Sequence, residues 1–225
     1  MKLDGREWRM LVSSVRLGDE RYRVIRPERP IPHASLYDGR LGAELAVDKD
    51  GALDIAFAWW LAARSPRSLV YLPLRSGKST CGEEYGGRKL DLVLLHHTLQ
   101  FRASRWKQVR SRLSPAAIHK MTLPPRPFRP FDLDAHVRPH QDDFRDHLRW
   151  SLAADTLFLI GSRQAYERQG DALRTLAEDC PTHLAENPET HCCAEIDLGR
   201  INVRPVDHRN PPSMLHVVRC HRHIR

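Results

Sequence analysis

The sequence predicts an α+β protein, with a β-rich N-terminal half, two helices, and closing strands in the C-terminal half. Three observations carry this. Short apolar runs and weak apolar–polar alternation dominate the first hundred residues. Two stretches between 141 and 178 carry apolar side chains at helical spacing. Strand-like patterns return at 193–198 and 214–220.

Taken in order, Trp8–Val15 and Tyr22–Ile25 alternate and read as strands. Arg26–Pro32 (RPERPIP) holds three prolines and reads as a loop or sheet edge. Leu41–Val47, a Lys49-Asp50-Gly51 turn and Ala52–Trp60 read as a hairpin, because Asp-Gly is a favoured turn pair. Ser68–Leu74 is a further apolar segment, and the glycine-rich Arg75–Arg88 reads as a loop. Leu90–Phe101 (LDLVLLHHTLQF) reads as a buried strand. Residues 103–113 read as a helix whose stripe is Trp106, Val109 and Leu113.

Pro124–Pro130 (PPRPFRP) excludes regular structure and reads as a linker. It divides a β-rich region, 1–123, from a helix-and-strand region, 131–225, unless 1–225 form a single domain. Beyond it, Gln141–Ile160 reads as a helix with the stripe Phe144, Leu148, Leu152 and Leu159, stopped by Gly161. Gln164–Glu178 reads as a second helix, although Gly170 sits inside it.

The longest uninterrupted apolar run, Ile55–Ala63, is far short of the roughly 20 residues a bilayer span needs. The start, MKLDGREWRM, is charged where a secretory signal is apolar. A cytoplasmic protein without membrane partners is the expectation. The five cysteines, an odd number, then read as reduced thiols.

The net charge is +8, carried by six Lys and 30 Arg against 28 acids. All of it lies in residues 1–113, with 21 basic and 13 acidic side chains, whereas 114–225 hold 15 of each. Between Asp91 and Asp132 no carboxylate occurs. That interval carries Arg102, Arg105, Lys107, Arg110, Arg112, Lys120, Arg126 and Arg129, interleaved with Phe101, Trp106, Phe128 and Phe131. Guanidinium groups fork onto phosphate oxygens and exposed aromatics stack on bases. The leading functional expectation is therefore a surface for nucleic acid or another phosphate-rich ligand. The competing reading is a solvated basic face flanking a core stripe, with Trp106 inside.

Four cysteines lie in the last 46 residues, with six of the 13 histidines. Cys180-Pro-Thr-His183 has C-x-x-H spacing. Cys192 and Cys193 are adjacent, so on a strand only one faces any given site. Cys180, His183, Cys192 and Cys220 form a candidate zinc set, with His223 as a substitute for Cys220. No C-x-x-C pair supports it. His216 and Cys220 would share a strand face. An alternative metal set is His140, Asp143 and His147, which share one face if 140–147 are helical. That set, or the C-terminal ligands, would serve a metal-dependent enzyme, hydrolytic or oxidative.

Named catalytic motifs fail. Arg75-Ser-Gly-Lys-Ser-Thr80 lacks the first glycine of a phosphate-binding loop, since position 72 is Leu72. Ser104-Arg-Trp-Lys107 has S-x-x-K spacing without its companion motifs. His96 and His97 alternate off the end of a strand, and Glu195 and Asp197 share a strand face without a partner. No catalytic residue is assigned on this basis. A non-catalytic interaction or inhibitor protein is the third class.

Overall fold

The first 27 residues build a long antiparallel hairpin, β1 (Glu7–Leu17) and β2 (Glu20–Pro27). Gly18 turns the corner at φ +63, where a glycine carries no steric penalty. This computed structural model describes residues 2–39, 42–114, 117–130, 132–141, 143–187, 189–198 and 214–220. The side chains of 85, 135, 136 and 140 fall outside that description.

Next come β3 (Ala34–Gly39), β4 (Gly42–Val47), the helix α1 (Lys49–Arg64), β5 (Ser68–Leu72) and β6 (Arg88–His96). The short helix α2 (Trp106–Ser111) and β7 (Ile118–Thr122) follow. After one turn of helix, α3 (Leu133–Val137), the chain forms β8 (Arg149–Ala153), β9 (Thr156–Gly161), α4 (Arg163–Glu178) and α5 (Cys180–Glu186). It closes with β10 (Cys193–Asp197) and β11 (Met214–Arg219).

The described strands share one mixed sheet, ordered β10-β11-β4-β3-β6-β5-β2-β1-β7, with β9 also on β6 and β8 on β9. The α+β expectation holds. Strands from both sides of Pro124–Pro130 enter this sheet, and Pro127 and Phe128 within that stretch are buried. Among the described residues, no helix is long and apolar enough to cross a membrane.

Two expected elements differ. Ala52–Trp60 is not a hairpin strand but the body of α1. Asp48 caps that helix by accepting a 2.7 Å hydrogen bond from Gly51 N. Twelve of its sixteen residues are buried, so the apolar stripe that marks an amphipathic helix is absent. Gly51 serves contact, not turning, since a Cβ there would meet His33 O at 2.8 Å. Gln141–Ile160 is not a helix either. Residues 143–148 are irregular, and β8 and β9 make a hairpin around Ala154 and Asp155, both with positive φ. That conformation suits a two-residue hairpin turn, normally signalled by Asn-Gly.

Helices α1 and α4 cover one face of the sheet. Trp59 Nε1 donates to Tyr166 O at 2.8 Å, and the Tyr166 hydroxyl donates to Leu159 O while accepting from Leu95 N. Gly170 has a reason to interrupt α4: a Cβ there would lie 2.2 Å from Phe128 Cδ1. On the opposite face α2 seals a second cluster of Val15, Tyr22, Val24, Tyr71, Val93 and Phe158 with Trp106 and Val109. Trp106 is fully buried and its Nε1 donates to Thr156 Oγ1 at 3.0 Å. It is a core residue, not a stacking platform.

Candidate metal centre

Three strands at one end of the sheet bring donors together. β10 runs antiparallel to β11, and β11 parallel to β4. The register aligns Glu195 with His216 and Glu44, and Cys193 with Val218 and Ala46. Strand alternation puts Leu215, Val217, Leu45 and Ala194 into the core beneath the helices. It turns Cys193, Glu195, His216 and Glu44 to the other face. His191 lies two residues before Cys193 and so joins that face.

The result is a compact donor set. Ligand atoms of His191, Cys193 and His216 lie within 4.8 Å of one another. The two imidazoles are stacked, with ring centres 5.4 Å apart and planes 17° from parallel. Glu44, itself buried, accepts a 2.6 Å hydrogen bond from His216 Nδ1. That fixes the His216 ring and leaves Nε2 as its lone-pair nitrogen. A tetrahedral ion with bonds of roughly 2.0–2.3 Å wants ligand atoms about 3.4–3.8 Å apart, so the group closes by about 1 Å on binding. His191 is exposed, so the centre opens to solvent. Burial, then the Glu195, Cys192 and Glu44 groups, pushes the Cys193 thiol up.

The candidate set Cys180, His183, Cys192 and Cys220 is divided by the sheet. Cys192 points to the helical side, where its Sγ lies 3.9 Å from Cys180 O and its thiol pairs with that of Cys180. Burial and this pairing push Cys180 up to about 12. His183 is exposed on α5. Cys220 packs on the opposite side with Cys81, Ala46 and Val218. Burial and the hydrogen-bonded Cys220 thiol push Cys81 up to about 12. These four residues therefore do not converge on one ion. His223 lies outside the described residues. Strand alternation of Cys192 and Cys193 is as expected, and Cys193 is the one that finds nitrogen donors.

The alternative set loses the helix that would have aligned it. Asp143 is exposed and held by Arg138 at 2.6 Å, an ion pair that keeps its carboxyl below the usual range. His147 Nδ1 lies 3.7 Å from Asp197 Oδ2. The side chain of His140 lies outside the described residues.

The acid-free segment meets acids from elsewhere in the chain. Arg105 pairs with Glu20. Arg110 reaches the buried Asp91 at 3.1 Å, and Lys120 reaches Glu7 at 2.7 Å. Arg112 donates to Arg16 O at 3.2 Å. Arg126 and Arg129 flank Phe128, which packs on α4 across the sheet from α2. Arg102, Lys107 and Arg112 are exposed around α2 and have no carboxylate partner among the described residues. A concavity of about 520 Å³ beside Arg112 is also lined by Ser104, Arg105 and Gln108.

The chain matches no protein-family model, no curated protein and no solved structure with which it was compared.

Proposed function

We propose that this protein binds one zinc-class divalent cation through His191, Cys193 and His216, with a fourth coordination position open to solvent. The convergence of these three donors within 4.8 Å carries the reading. Glu44 supports it, because metal-bound histidines ordinarily donate their second N–H to a carboxylate or carbonyl. Two nitrogens and one sulfur suit a borderline-soft ion. Three protein ligands with one open position is the arrangement of catalytic zinc, in which bound water loses a proton near neutrality. Glu195, exposed on the same face and opposite His216 in the ladder, is the candidate to handle that proton. Metal-assisted hydrolysis is the reaction class. Five free cysteines fit a cytoplasmic setting, where thiols stay reduced.

Cobalt substitution tests the site. Co²⁺-loaded protein should show thiolate-to-metal charge-transfer absorption that C193S removes and C192S retains. Loss with C192S, and not with C193S, would transfer the site to the helical side of the sheet.

A second reading rests on the exposed Arg102, Lys107 and Arg112 around α2, with Arg112 lining the concavity there. This surface fits a phosphate-rich ligand such as a nucleic acid. Three neutralised phosphates give a log K versus log salt slope of about −2.7. A slope near zero for oligonucleotide binding, or no binding at low salt, removes this reading.

A further inference from the structure

A second cavity, of about 530 Å³, lies on the α2 side of the sheet. Small-molecule sites commonly span about 300–1,000 Å³. It opens beyond the carboxyl ends of β6 and β9, which run parallel and end their pairing at His96 and Gly161. Ligands in sheets with parallel strands favour such carboxyl ends.

The lining divides by chemistry. Leu95, Phe101 and Ile160 make an apolar floor, and Trp150 borders it only from its strand, because its register with Leu159 turns its ring to the α1 and α4 side. His97, Gln100 and Arg149 supply the polar groups. Among the described residues no carboxylate lines the cavity. Arg149 is exposed and has no ion pair or side-chain hydrogen bond among the described residues. Among the described residues the His97 ring has no partner but the His96 ring, 4.6 Å away. Most other arginines near this face are tied down: Arg105 to Glu20, Arg110 to Asp91, Arg75 to Asp155. A guanidinium and an imidazole left unpaired over an apolar floor are arranged for a negative group. Gln100 is held at φ 47 and ψ 33, a conformation uncommon for a non-glycine residue, and its backbone N–H is tied to His97 O.

We infer that this cavity binds a small organic anion: a planar ring against Phe101, with one carboxylate or phosphate head on Arg149 and His97. A single guanidinium and imidazole over an apolar floor suit one head group on an apolar body, not a polymer backbone. This site is separate from the metal centre and does not depend on it.

The test is calorimetric titration of the full chain with adenosine 5′-monophosphate, benzoate and inorganic phosphate. At least one ring-bearing anion should saturate at one equivalent, and inorganic phosphate should not displace it. Whichever of the two binds identifies the head group. R149A and H97A should each weaken that binding, R149A by about tenfold or more. Both residues are exposed, so circular dichroism should show the parent fold. Failure of both ring-bearing anions to saturate, equal displacement by inorganic phosphate, or unchanged affinity in R149A would overturn the inference. C193S should bind the anion as the parent does, so loss of the metal site leaves this result readable.

Discussion

Glu44 and His216 are 172 residues apart in sequence and joined by a 2.6 Å hydrogen bond, because β4 and β11 run side by side in parallel register. Neither residue belongs to a recognisable motif. Their pairing turns a surface histidine into an oriented one and ties the centre to the buried interior of the sheet.

E44Q is expected to weaken metal affinity by about 10- to 100-fold while leaving stoichiometry at one. Glutamine keeps the size and one acceptor but removes the charge that raises imidazole basicity. Competition titration against a chromophoric zinc chelator gives the number. An unchanged affinity would mean that His216 needs no carboxylate behind it.

Metal binding should release protons and weaken as pH falls. The Cys193 thiol is held above its ordinary value by burial and nearby carboxylates, so the metal displaces its proton. Calorimetry in buffers of different ionisation enthalpy reads the protons directly. C193S should release fewer.

The buried thiols set an alkaline limit on stability. Cys81 and Cys180 are raised from 9.0 to about 12, so the unfolded chain gives up these protons first. Their contribution is intact below pH 9 and is lost as pH rises toward 12. Urea midpoints for metal-free protein should fall across that window. The doubly substituted C81A/C180A protein should show a shallower fall.

Gly170 and Trp106 test the two faces of the core. G170A drives a methyl into the Phe128 ring and is expected to cost about 1–3 kcal/mol, despite the better helix propensity of alanine. F128L in that background should recover part of the loss. W106A should cost about 3–5 kcal/mol, since it empties the centre of the second cluster and removes the indole N–H that Thr156 Oγ1 accepts. Urea denaturation measures both.

The sequence is most legible where each residue reports its own burial. The alternation in β1 and β2, the stripe of α4, and the closing strands β10 and β11 all follow from local pattern. Trp106 and Val109 also face the core as their spacing implies. Pattern fails for α1, because a helix buried on nearly every side has no polar face to set its period. It misleads at 141–160, where Leu148 and Leu159 are buried but Leu152 is exposed on β8. Four leucine and phenylalanine positions spaced like a helix belong there to a loop and two strands. The Ala154-Asp155 turn carries none of the usual glycine or asparagine signal.

The candidate centre was half legible. A cluster of histidine and cysteine near the C-terminus is visible in the chain, as is the opposed orientation of Cys192 and Cys193. Local C-x-x-H spacing, however, favours Cys180 and His183, which the sheet separates from Cys193. His191 and Cys193 are two apart, a signal readable only once β10 is known to be a strand. Glu44 could not be found locally at all, because parallel pairing over so long a separation leaves no trace in spacing.

X-ray absorption fine structure of the protein loaded with one equivalent of zinc tests the central claim most directly. The account requires one sulfur neighbour at about 2.3 Å and two or three nitrogen or oxygen neighbours at about 2.0–2.1 Å, with imidazole scattering beyond. A shell of two or more sulfurs, or none, would contradict it.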